Sequence, residues 1–296
     1  MKIIGAGLAG LLAGNLFQRA VLIEAGSREQ SSHKAVLRFR SAAVGEAVGI
    51  DFRPVTVHKG VWYKRRFVAP NIQLANFYSQ KVINKIMDRS IWRLEPVQRF
   101  IAPKDLVAQL AERCSTRIVW ETRATVEDLK RSDGVISTAP MPVLYRMLRG
   151  EEPDIEFRFA PIVVKRWLVP RADAFQTIYF PDPALNLYRA SITGDLLIAE
   201  FVESVTEGVE EELFRAFGLR QEPTPLDTTK QRYGKIAPVD DDWRRSFILN
   251  ATLQHGVYSL GRFATWRNIL MDDVLHDIAV IKRLISGGAY AAARRV

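Results

Sequence analysis

KIIGAGLAGLLAGNLFQRAVLIE, residues 2–24, is the stretch of sequence that decides the fold. A short apolar run meets the six residues GAGLAG, a helix-like segment follows, and a second apolar run ends on Glu24. This order of strand, glycine turn, helix, strand and acid is typical of a dinucleotide-binding βαβ unit. The competing interpretation is an ordinary glycine turn in an α/β protein. The acid 19 residues after Gly5 and the elements on both sides of the turn favour the dinucleotide.

Each residue type in this motif has a physical role. Gly5 permits the tight turn, Gly7 lets the backbone approach a pyrophosphate, and Gly10 lets the helix lie close to the strand. The helix N-terminus offers N–H groups and the positive end of its dipole to the phosphates, and Glu24 accepts hydrogen bonds from a ribose. The acid comes about one helical turn early, so the helix is predicted to be short. The predicted contacts here are Gly5, Gly7, Leu8, Ala9, Gly10, Glu24 and Ala25.

The composition is that of an ordinary soluble globular protein, and 296 residues suffice for two modest domains or one large one. The single cysteine, Cys114, excludes an intramolecular disulfide and a cysteine-rich metal site, and is expected to be buried in a reducing compartment. The apolar run over 3–17 resembles a signal peptide core, but its glycines argue against one. No other apolar run approaches the ~20 residues that span a membrane, so a cytoplasmic protein is predicted.

The formal net charge of +9 is unevenly distributed. Residues 1–150 carry +12 and residues 151–296 carry −3, and the stretch from Lys34 to Lys104 holds 14 basic residues but only 4 acidic ones. Aromatics are interleaved with these cations: Trp62, Tyr63, Phe77, Tyr78 and Trp92. A basic, aromatic-rich region is the footprint expected for a polyanion such as nucleic acid. A solvated basic face with buried aromatics, serving in part the cofactor's phosphates, is the alternative.

Beyond residue 24, helical patterns alternate with short strands. The segment 33–41 is predicted as a strand or extended loop that carries Arg38 and Arg40 on one side. VWYKRRFVAP, residues 61–70, is typical of a β-hairpin, and Pro103 opens a helix. Further strands are predicted at 117–120, 124–126, 135–137, 157–170, 177–180, 186–192, 196–201 and 257–260, and further helices at 71–92, 141–149, 207–217 and from 271. The regular spacing of strands from 157 to 201 predicts an antiparallel sheet on the substrate side.

A second informative stretch is DGVISTAP, residues 133–140. It is a strand that ends in Thr-Ala-Pro, and many FAD proteins return to their cofactor with a strand of this form. This resemblance implies cofactor contacts from Thr138, Ala139 and Pro140.

GVYSLGRFATWRNILMDDVLHDIAVIKRLI, residues 256–285, carries the most specific resemblance. Its apolar strand, Gly-Arg pair, aromatic and methionine-led helix resemble the C-terminal FAD-contacting segment of UDP-galactopyranose mutase and its amine-oxidase-like relatives. The resemblance implies FAD, with contacts from Gly261, Arg262 and Met271. Gly261 allows close backbone approach, and Arg262 can neutralise a phosphate or hold a polar flavin edge. An NAD(P)-only dehydrogenase, the main competitor, has no use for this segment.

Two further implications come from resemblance. In flavoproteins of the amine-oxidase type, an arginine shortly after the ribose-binding acid approaches the pyrophosphate, which makes Arg38 or Arg40 a phosphate-contact candidate. The pattern is also similar to small phage-encoded flavin oxidoreductases associated with amino-acid-derived modification of thymine in DNA. That similarity agrees with the basic first half, and implies a location in the host cytoplasm.

The chemistry implied is oxidation of an amine or amino-acid substituent. No second GxGxxG is present, so reducing equivalents are expected to come from the substrate, with hydride passing to flavin N5 and water hydrolysing the resulting imine. Aromatic walls suffice for such a site, and Trp62 and Tyr63 are among the candidates. The candidate catalytic residues are Trp266, Tyr258 and His255. The four histidines, His33, His58, His255 and His276, show no metal spacing, and the acids at 240–242 are expected to be a solvated charge run.

The predicted fold class is α/β: a Rossmann-like FAD-binding domain of the glutathione-reductase type, with an antiparallel-sheet substrate domain. The predicted FAD-binding ranges are 1–50, 96–150 and 235–296, and the substrate-binding ranges are 51–95 and 151–234. The leading function is an FAD-dependent amine or amino-acid oxidase, whose substrate could be a hypermodified thymine in phage DNA. The alternatives are a redox-neutral sugar mutase that requires reduced flavin, and a flavin- or nucleic-acid-binding module without catalysis.

Overall fold

The computed structural model describes residues 1–28, 36–88, 90–130 and 134–287; His33, Lys34 and Asp133 lie outside these residues. The strands are β1 (Lys2–Ile4), β2 (Val21–Ile23), β3 (Arg38–Phe39), β4 (Arg53–Tyr63), β5 (Arg66–Val68), β6 (Val97–Ile101), β7 (Ile118–Val119), β8 (Val135–Ser137), β9 (Phe159–Leu168), β10 (Ala174–Tyr179), β11 (Leu187–Gly194), β12 (Leu196–Val202), β13 (Thr224–Ile236) and β14 (Val257–Ser259). The helices are α1 (Leu8–Leu16), α2 (Ala43–Val48), α3 (Ile72–Ile83), α4 (Leu106–Glu112), α5 (Met141–Arg149), α6 (Val209–Ala216), α7 (Asp241–His255) and α8 (Met271–Ser286).

The first sheet holds the glycine motif. Its five strands run in the order β14-β8-β1-β2-β7, and every neighbouring pair is parallel. Successive residues of a strand face opposite sides, so Ile3 packs with α1, α2, α4 and α8, while Ile4 packs with α5 and α7. The predicted α/β layer, with helices on both sides of a parallel sheet, is confirmed.

Helix α1 is short, as the early acid predicts. It spans nine residues, and its central residues Leu11, Leu12 and Ala13 are fully buried. The chain turns at Phe17 and enters β2 four residues later. Cys114 is buried as expected, with the Asn15 amide 3.3 Å from its sulfur.

The second sheet has nine strands. Eight follow the order β13-β9-β12-β11-β10-β4-β6-β3, and β5 pairs with β4. All pairs are antiparallel except β10 with β4. Helix α6 packs on one face and α3 on the other. The predicted antiparallel sheet is confirmed, and so is the hairpin of β4 and β5, whose turn residues Lys64 and Arg65 have φ of 48° and 62°.

The helix predicted over 71–92 ends at Ile83, where Asn84 adopts the left-handed conformation, and two further local predictions were wrong. Residues 124–126 form no strand: the Thr125 N–H and hydroxyl both donate to Asp128 Oδ2, which starts a 3-10 turn at 127–129. The acids at 240–242 are more than a solvated run. Asp240 accepts a hydrogen bond from the Trp243 N–H at 2.8 Å and caps α7, and Asp241 pairs with arginines one turn later.

The predicted domain ranges do not coincide with the two sheets. Strands β3 and β6 fall inside the predicted FAD-binding ranges but pair into the nine-stranded sheet, because β6 extends the first half of β4. The ranges themselves stay a prediction. No helix in the described parts of the chain is long and apolar enough to cross a membrane.

Candidate cofactor and substrate site

The glycine turn lies at the carboxyl end of β1. Gly5 has φ +93°, and its N–H donates to the Ile23 carbonyl at 2.8 Å. A Cβ at Gly10 would lie 1.9 Å from the Gly5 carbonyl oxygen, so glycine there lets α1 lie against β1. Thr138 closes the other side, because its hydroxyl donates to the Ile4 carbonyl at 2.8 Å and leaves no room for a Cβ at Gly5.

Gly7 differs from the two other glycines of the motif. Its φ is −67°, which any residue adopts, and a Cβ built there would meet no atom within 4 Å. The fold itself therefore makes no demand for glycine at this position. The adjacent N-terminus of α1 has no side-chain cap and no acidic residue in its first turn, so its N–H groups are available to an anion. Both observations fit a pyrophosphate in front of Gly7.

Glu24 is held on the glycine turn. Its carboxylate accepts hydrogen bonds from the Ala6 N–H at 2.6 Å and from the Gly26 N–H at 2.8 Å. The side chain is half-buried, and Ala25 beside it is exposed. Because each carboxylate oxygen accepts more than one hydrogen bond, Glu24 keeps capacity for a ribose hydroxyl while its position is fixed by the backbone.

The C-terminal segment reaches the same turn. Gly261 has φ +89°, and a Cβ there would lie 2.9 Å from the Cβ of Ala9 in α1. The Leu260 N–H donates to the Ser137 carbonyl at 2.9 Å, one residue before the predicted Thr-Ala-Pro contact. The three stretches that the sequence singles out therefore meet at one edge of the parallel sheet. Half-buried at this edge are Leu8, Ala9, Thr138, Ala139, Pro140 and Arg262.

Arg38 lies elsewhere. Its guanidinium donates to the hydroxyls of Thr177 and Thr193 at 2.7 to 3.1 Å and to the carbonyls of Gln176 and Ile192 at 2.9 and 2.6 Å. All four acceptors belong to β10 and β11, so this side chain is part of the nine-stranded sheet. Its position does not support the phosphate contact predicted for it. Sequence could not show this, because the partners are more than 130 residues away.

Arg40 and Met271 meet at the start of α8. The Arg40 N–H donates to Asp272 Oδ1 at 3.0 Å, and its guanidinium pairs with Asp273. Asp273 also accepts from the Leu270 N–H at 2.8 Å. Met271, half-buried, is the first residue of α8. The N-terminus of α8 is thus neutralised by its own acids, and Arg40 is occupied by them.

Two of the three candidate catalytic residues, Trp266 and Tyr258, are buried in the core. Trp266 is 2% exposed, its indole N–H donates to the Ala237 carbonyl at 2.9 Å, and its ring packs edge-on against Phe157. Tyr258 is 3% exposed within the core shared with α1 and α8, and burial raises the pKa of its hydroxyl.

His255 lies at the opposite edge of the parallel sheet. It ends α7 and precedes β14, and the next residue, Gly256, accepts a hydrogen bond from the N–H that opens β8. Since the strands are parallel, a residue before β14 is separated from Gly261 by the length of the strand. Burial, and then the charge of Arg149, lower the pKa of His255. Its position does not support a role beside the cofactor.

A charged pair that the sequence analysis missed lies on the nine-stranded sheet. Arg189 on β11 faces Glu200 on β12, and its guanidinium donates to the carboxylate from Nε at 2.5 Å and from Nη2 at 2.7 Å. A bulge in β11 turns the consecutive residues Tyr188 and Arg189 to the side that also carries Tyr179. We call this side the inner face. One signal was present: Glu200 interrupts the apolar run LLIAEFV.

On the inner face, Glu200 is charged and Tyr188 is neutral. Burial alone would raise the pKa of Glu200, but the charges of Arg189 and Lys235 lower it to about 2. The Lys235 ammonium lies 4.7 Å from the centre of the Tyr188 ring. Burial and the adjacent carboxylate raise the pKa of Tyr188 well above its ordinary value. At neutral pH Glu200 is therefore an anion and Tyr188 a neutral phenol.

The inner face adjoins the cofactor edge. Arg262 directly follows Gly261, the glycine that packs on α1. Its Nη2 lies 3.5 Å from the Gly234 carbonyl oxygen and donates to Asn268 Oδ1 at 3.1 Å. The rings of Tyr233 and Phe263 are 5.7 Å apart. Residues 233–235 of β13 thus join the Gly261 edge to the charged pair. Within the described ranges, no group of three or more metal-ligating side chains is present.

No protein-family model matches the chain, and no curated protein is detectably similar in sequence. Solved structures are similar over nearly its whole length. An oxidoreductase from Methanosarcina mazei is 11% identical with a TM-score of 0.59, covering 96% of this chain and 100% of that protein. Aklavinone-11 hydroxylase, solved with FAD and aklavinone, is 11% identical with a TM-score of 0.52, over 96% of this chain and 62% of the hydroxylase.

The tryptophan 5-halogenase MibH is 14% identical with a TM-score of 0.50, over 96% of this chain and 65% of the halogenase. The chain therefore spans less than two thirds of the length of the hydroxylase and of the halogenase. At these identities the similarity shows the fold alone, which the chain shares with the oxidoreductase, the hydroxylase and the halogenase.

Proposed function

We propose that this chain is an FAD-dependent oxidoreductase whose cofactor binds along the glycine turn. One observation carries the proposal: three segments distant in sequence meet at the carboxyl edge of the parallel sheet, around the open space at Gly7. The similarity to aklavinone-11 hydroxylase, which was solved with FAD, supports it.

The residues at this edge suit the parts of FAD. The pyrophosphate would be held by the backbone at Gly7 and the N-terminus of α1, and a ribose by Glu24. Gly261 and Arg262 would hold the remainder of the cofactor near the inner face. When bound, FAD supplies a hydride acceptor for a C–H bond next to a nitrogen, and the imine product is hydrolysed by water.

The protein's part in this oxidation is to bind the substrate, to orient it and to exclude water from it. On the inner face Tyr179 and Tyr188 are buried, and helix α3 covers them with Tyr78, whose ring lies 5.5 Å from Tyr179. A substrate bound beside this packed aromatic layer would be shielded from water on that side. Electrons leave to dioxygen, which is reduced to hydrogen peroxide.

Oxygen insertion is a second candidate, favoured by the hydroxylase that shares the fold. That reaction takes its electrons from an external reductant such as NADH rather than from the substrate. The redox-neutral mutase remains an alternative, and its need for flavin that is already reduced would distinguish it. A flavin-binding module without catalysis is the other alternative, and the absence of turnover would distinguish it.

DNA as carrier of the substrate also remains a proposal. The exposed turn at Lys64, Arg65 and Arg66 supports it. Trp62 and Tyr78, two of the interleaved aromatics, are buried and unavailable for stacking on bases. Binding to duplex DNA that weakens steeply with salt is the expected behaviour, and triple alanine substitution at this turn should reduce it.

The reaction class is tested with protein reconstituted with FAD and freed of unbound flavin. Mixed anaerobically with primary amines and amino acids, its flavin should bleach without any nicotinamide. Admitting oxygen should then release one hydrogen peroxide per amine oxidised. Bleaching only by NADH or NADPH would refute amine oxidation and support oxygen insertion. Turnover of a nucleotide sugar only after dithionite reduction would support the mutase.

A further inference from the structure

Arg189 is central in the larger sheet and still reaches solvent-accessible space. Strand β11 has neighbours on both sides, and Glu200 is 4% exposed, yet 34% of the Arg189 side chain is accessible. Its Nε and Nη2 are held by Glu200. Its Nη1 has no hydrogen-bond partner among the described residues. The guanidinium is thus fixed in orientation by Glu200, while about a third of the side chain stays accessible.

Cations outnumber carboxylates around this group. Arg38 meets neutral hydroxyls and carbonyls, as described above, and its positive charge is not neutralised by them. Burial first, then the charges of Arg189 and Arg99, lower the pKa of Arg38 to about 10, so these guanidiniums lie within electrostatic reach of one another. Lys235 adds a further positive charge beside Glu200. The inner face therefore carries a net positive charge in a poorly solvated place, which favours an anionic ligand.

The sheet face that carries Arg189 adjoins the cofactor edge. Gly261 packs on Ala9 of α1, Arg262 approaches the carbonyl of Gly234, and the next residue, Lys235, lies over the Tyr188 ring. An anion on Arg189 would therefore sit on the side of the sheet that borders the glycine turn.

We propose that Arg189, oriented by Glu200 and supported by Lys235 and Arg38, binds an oxyanion of the substrate, either a carboxylate or a phosphate. The proposal rests on the proposed function, because this oxyanion anchors the substrate beside the flavin. A purely structural Arg189–Glu200 pair has no requirement for an accessible arginine side chain or for surplus positive charge. With Nε and Nη2 held by Glu200, Nη1 can donate a charge-assisted hydrogen bond to either oxyanion.

The test is calorimetric titration of the full chain with benzoate, phenyl phosphate and neutral benzamide, each with and without saturating FAD. Heat of binding reports the subsite whether or not flavin is bound. The variant is Arg189→Met. The matched control is Lys165→Met, on the same sheet but on its opposite face, where the ammonium pairs with Glu210 of α6. Both substitutions remove one positive charge and break one ion pair.

Wild-type protein should bind benzoate or phenyl phosphate, and the stronger of the two identifies the oxyanion. Arg189→Met should weaken that binding at least about tenfold, whereas Lys165→Met should leave it unchanged. Arg189→Lys, which keeps the charge and provides a second variant should Arg189→Met not fold, should give an intermediate loss. Equal affinity for benzamide, absence of binding by both anions, or equal loss in the Lys165 control would overturn the proposal. Anion binding without any FAD binding would instead refute the proposed function and retain the subsite.

Discussion

The two glycines Gly7 and Gly10 predict opposite consequences for the same small substitution. In Gly10→Ala the new methyl group would lie 1.9 Å from the Gly5 carbonyl oxygen and 2.9 Å from its carbon. Neither atom moves freely, because the Gly5 N–H is bonded to the Ile23 carbonyl. The helix must shift, so Gly10→Ala should lower the free energy of unfolding by about 1–3 kcal/mol.

In Gly7→Ala the methyl group meets no protein atom within 4 Å, at a φ that alanine adopts. The free energy of unfolding without FAD should stay within about 0.5 kcal/mol of wild type. The methyl group would occupy the space in front of the turn where we place the pyrophosphate. Forced overlap of about 1–3 kcal/mol corresponds to a rise in the FAD dissociation constant of roughly 5- to 150-fold.

The assay pairs urea unfolding of FAD-free protein with fluorescence titration of FAD. Gly7→Ala should lose affinity for FAD but keep the free energy of unfolding of the wild type. Gly10→Ala should have a lower free energy of unfolding. If Gly7→Ala binds FAD as tightly as wild type, the pyrophosphate does not lie in front of Gly7. If Gly10→Ala is as stable as wild type, α1 does not pack against the Gly5 carbonyl as closely as the structure has it.

Three further predictions follow from single side chains. Glu24→Gln should keep the fold but weaken FAD binding about tenfold in the same titration, since the carboxylate accepts from the ribose; unchanged affinity would remove Glu24 from the site. Burial lowers the pKa of Lys81 to about 7, so the unfolded chain binds the extra proton between about pH 7 and 10.4, and stability should rise across that range. Urea unfolding should show that the free energy of unfolding rises by at most about 5 kcal/mol over this pH range, and Lys81→Met should abolish the rise. An equal rise in the variant would mean that another group causes it. Asp240→Ala should lower the free energy of unfolding by about 1 kcal/mol through the lost cap of α7, and Asp242→Ala, at the second residue of the helix, is the control that should cost less.

Sequence predicted the elements whose cause is local. The glycine turn, the short α1 and the Lys64–Arg65 hairpin follow from neighbouring residues, because turn geometry and helix length are set within a few positions. The meeting of Gly261 with the N-terminal turn was also predicted, but through resemblance to a family rather than through local physics.

The errors have a different origin. Arg38 and Arg189 act through partners on other strands, and strand pairing and the bulge in β11 are not visible in local patterns. Trp266 was chosen for its closeness in sequence to Gly261, but its side chain turns into the core, where φ of +47° places it against Phe157. For His255, proximity along the chain was mistaken for proximity in space: a parallel strand separates the residue before it from the residue after it.

Equilibrium titration of the folded wild-type protein with FAD tests the central claim most directly. Protein stripped of endogenous flavin and shown to be folded by circular dichroism should take up one FAD per chain and retain it through gel filtration, with the flavin fluorescence altered on binding. A folded protein that takes up no FAD under these conditions would contradict the assignment of the glycine turn, Glu24 and Gly261 to a flavin site.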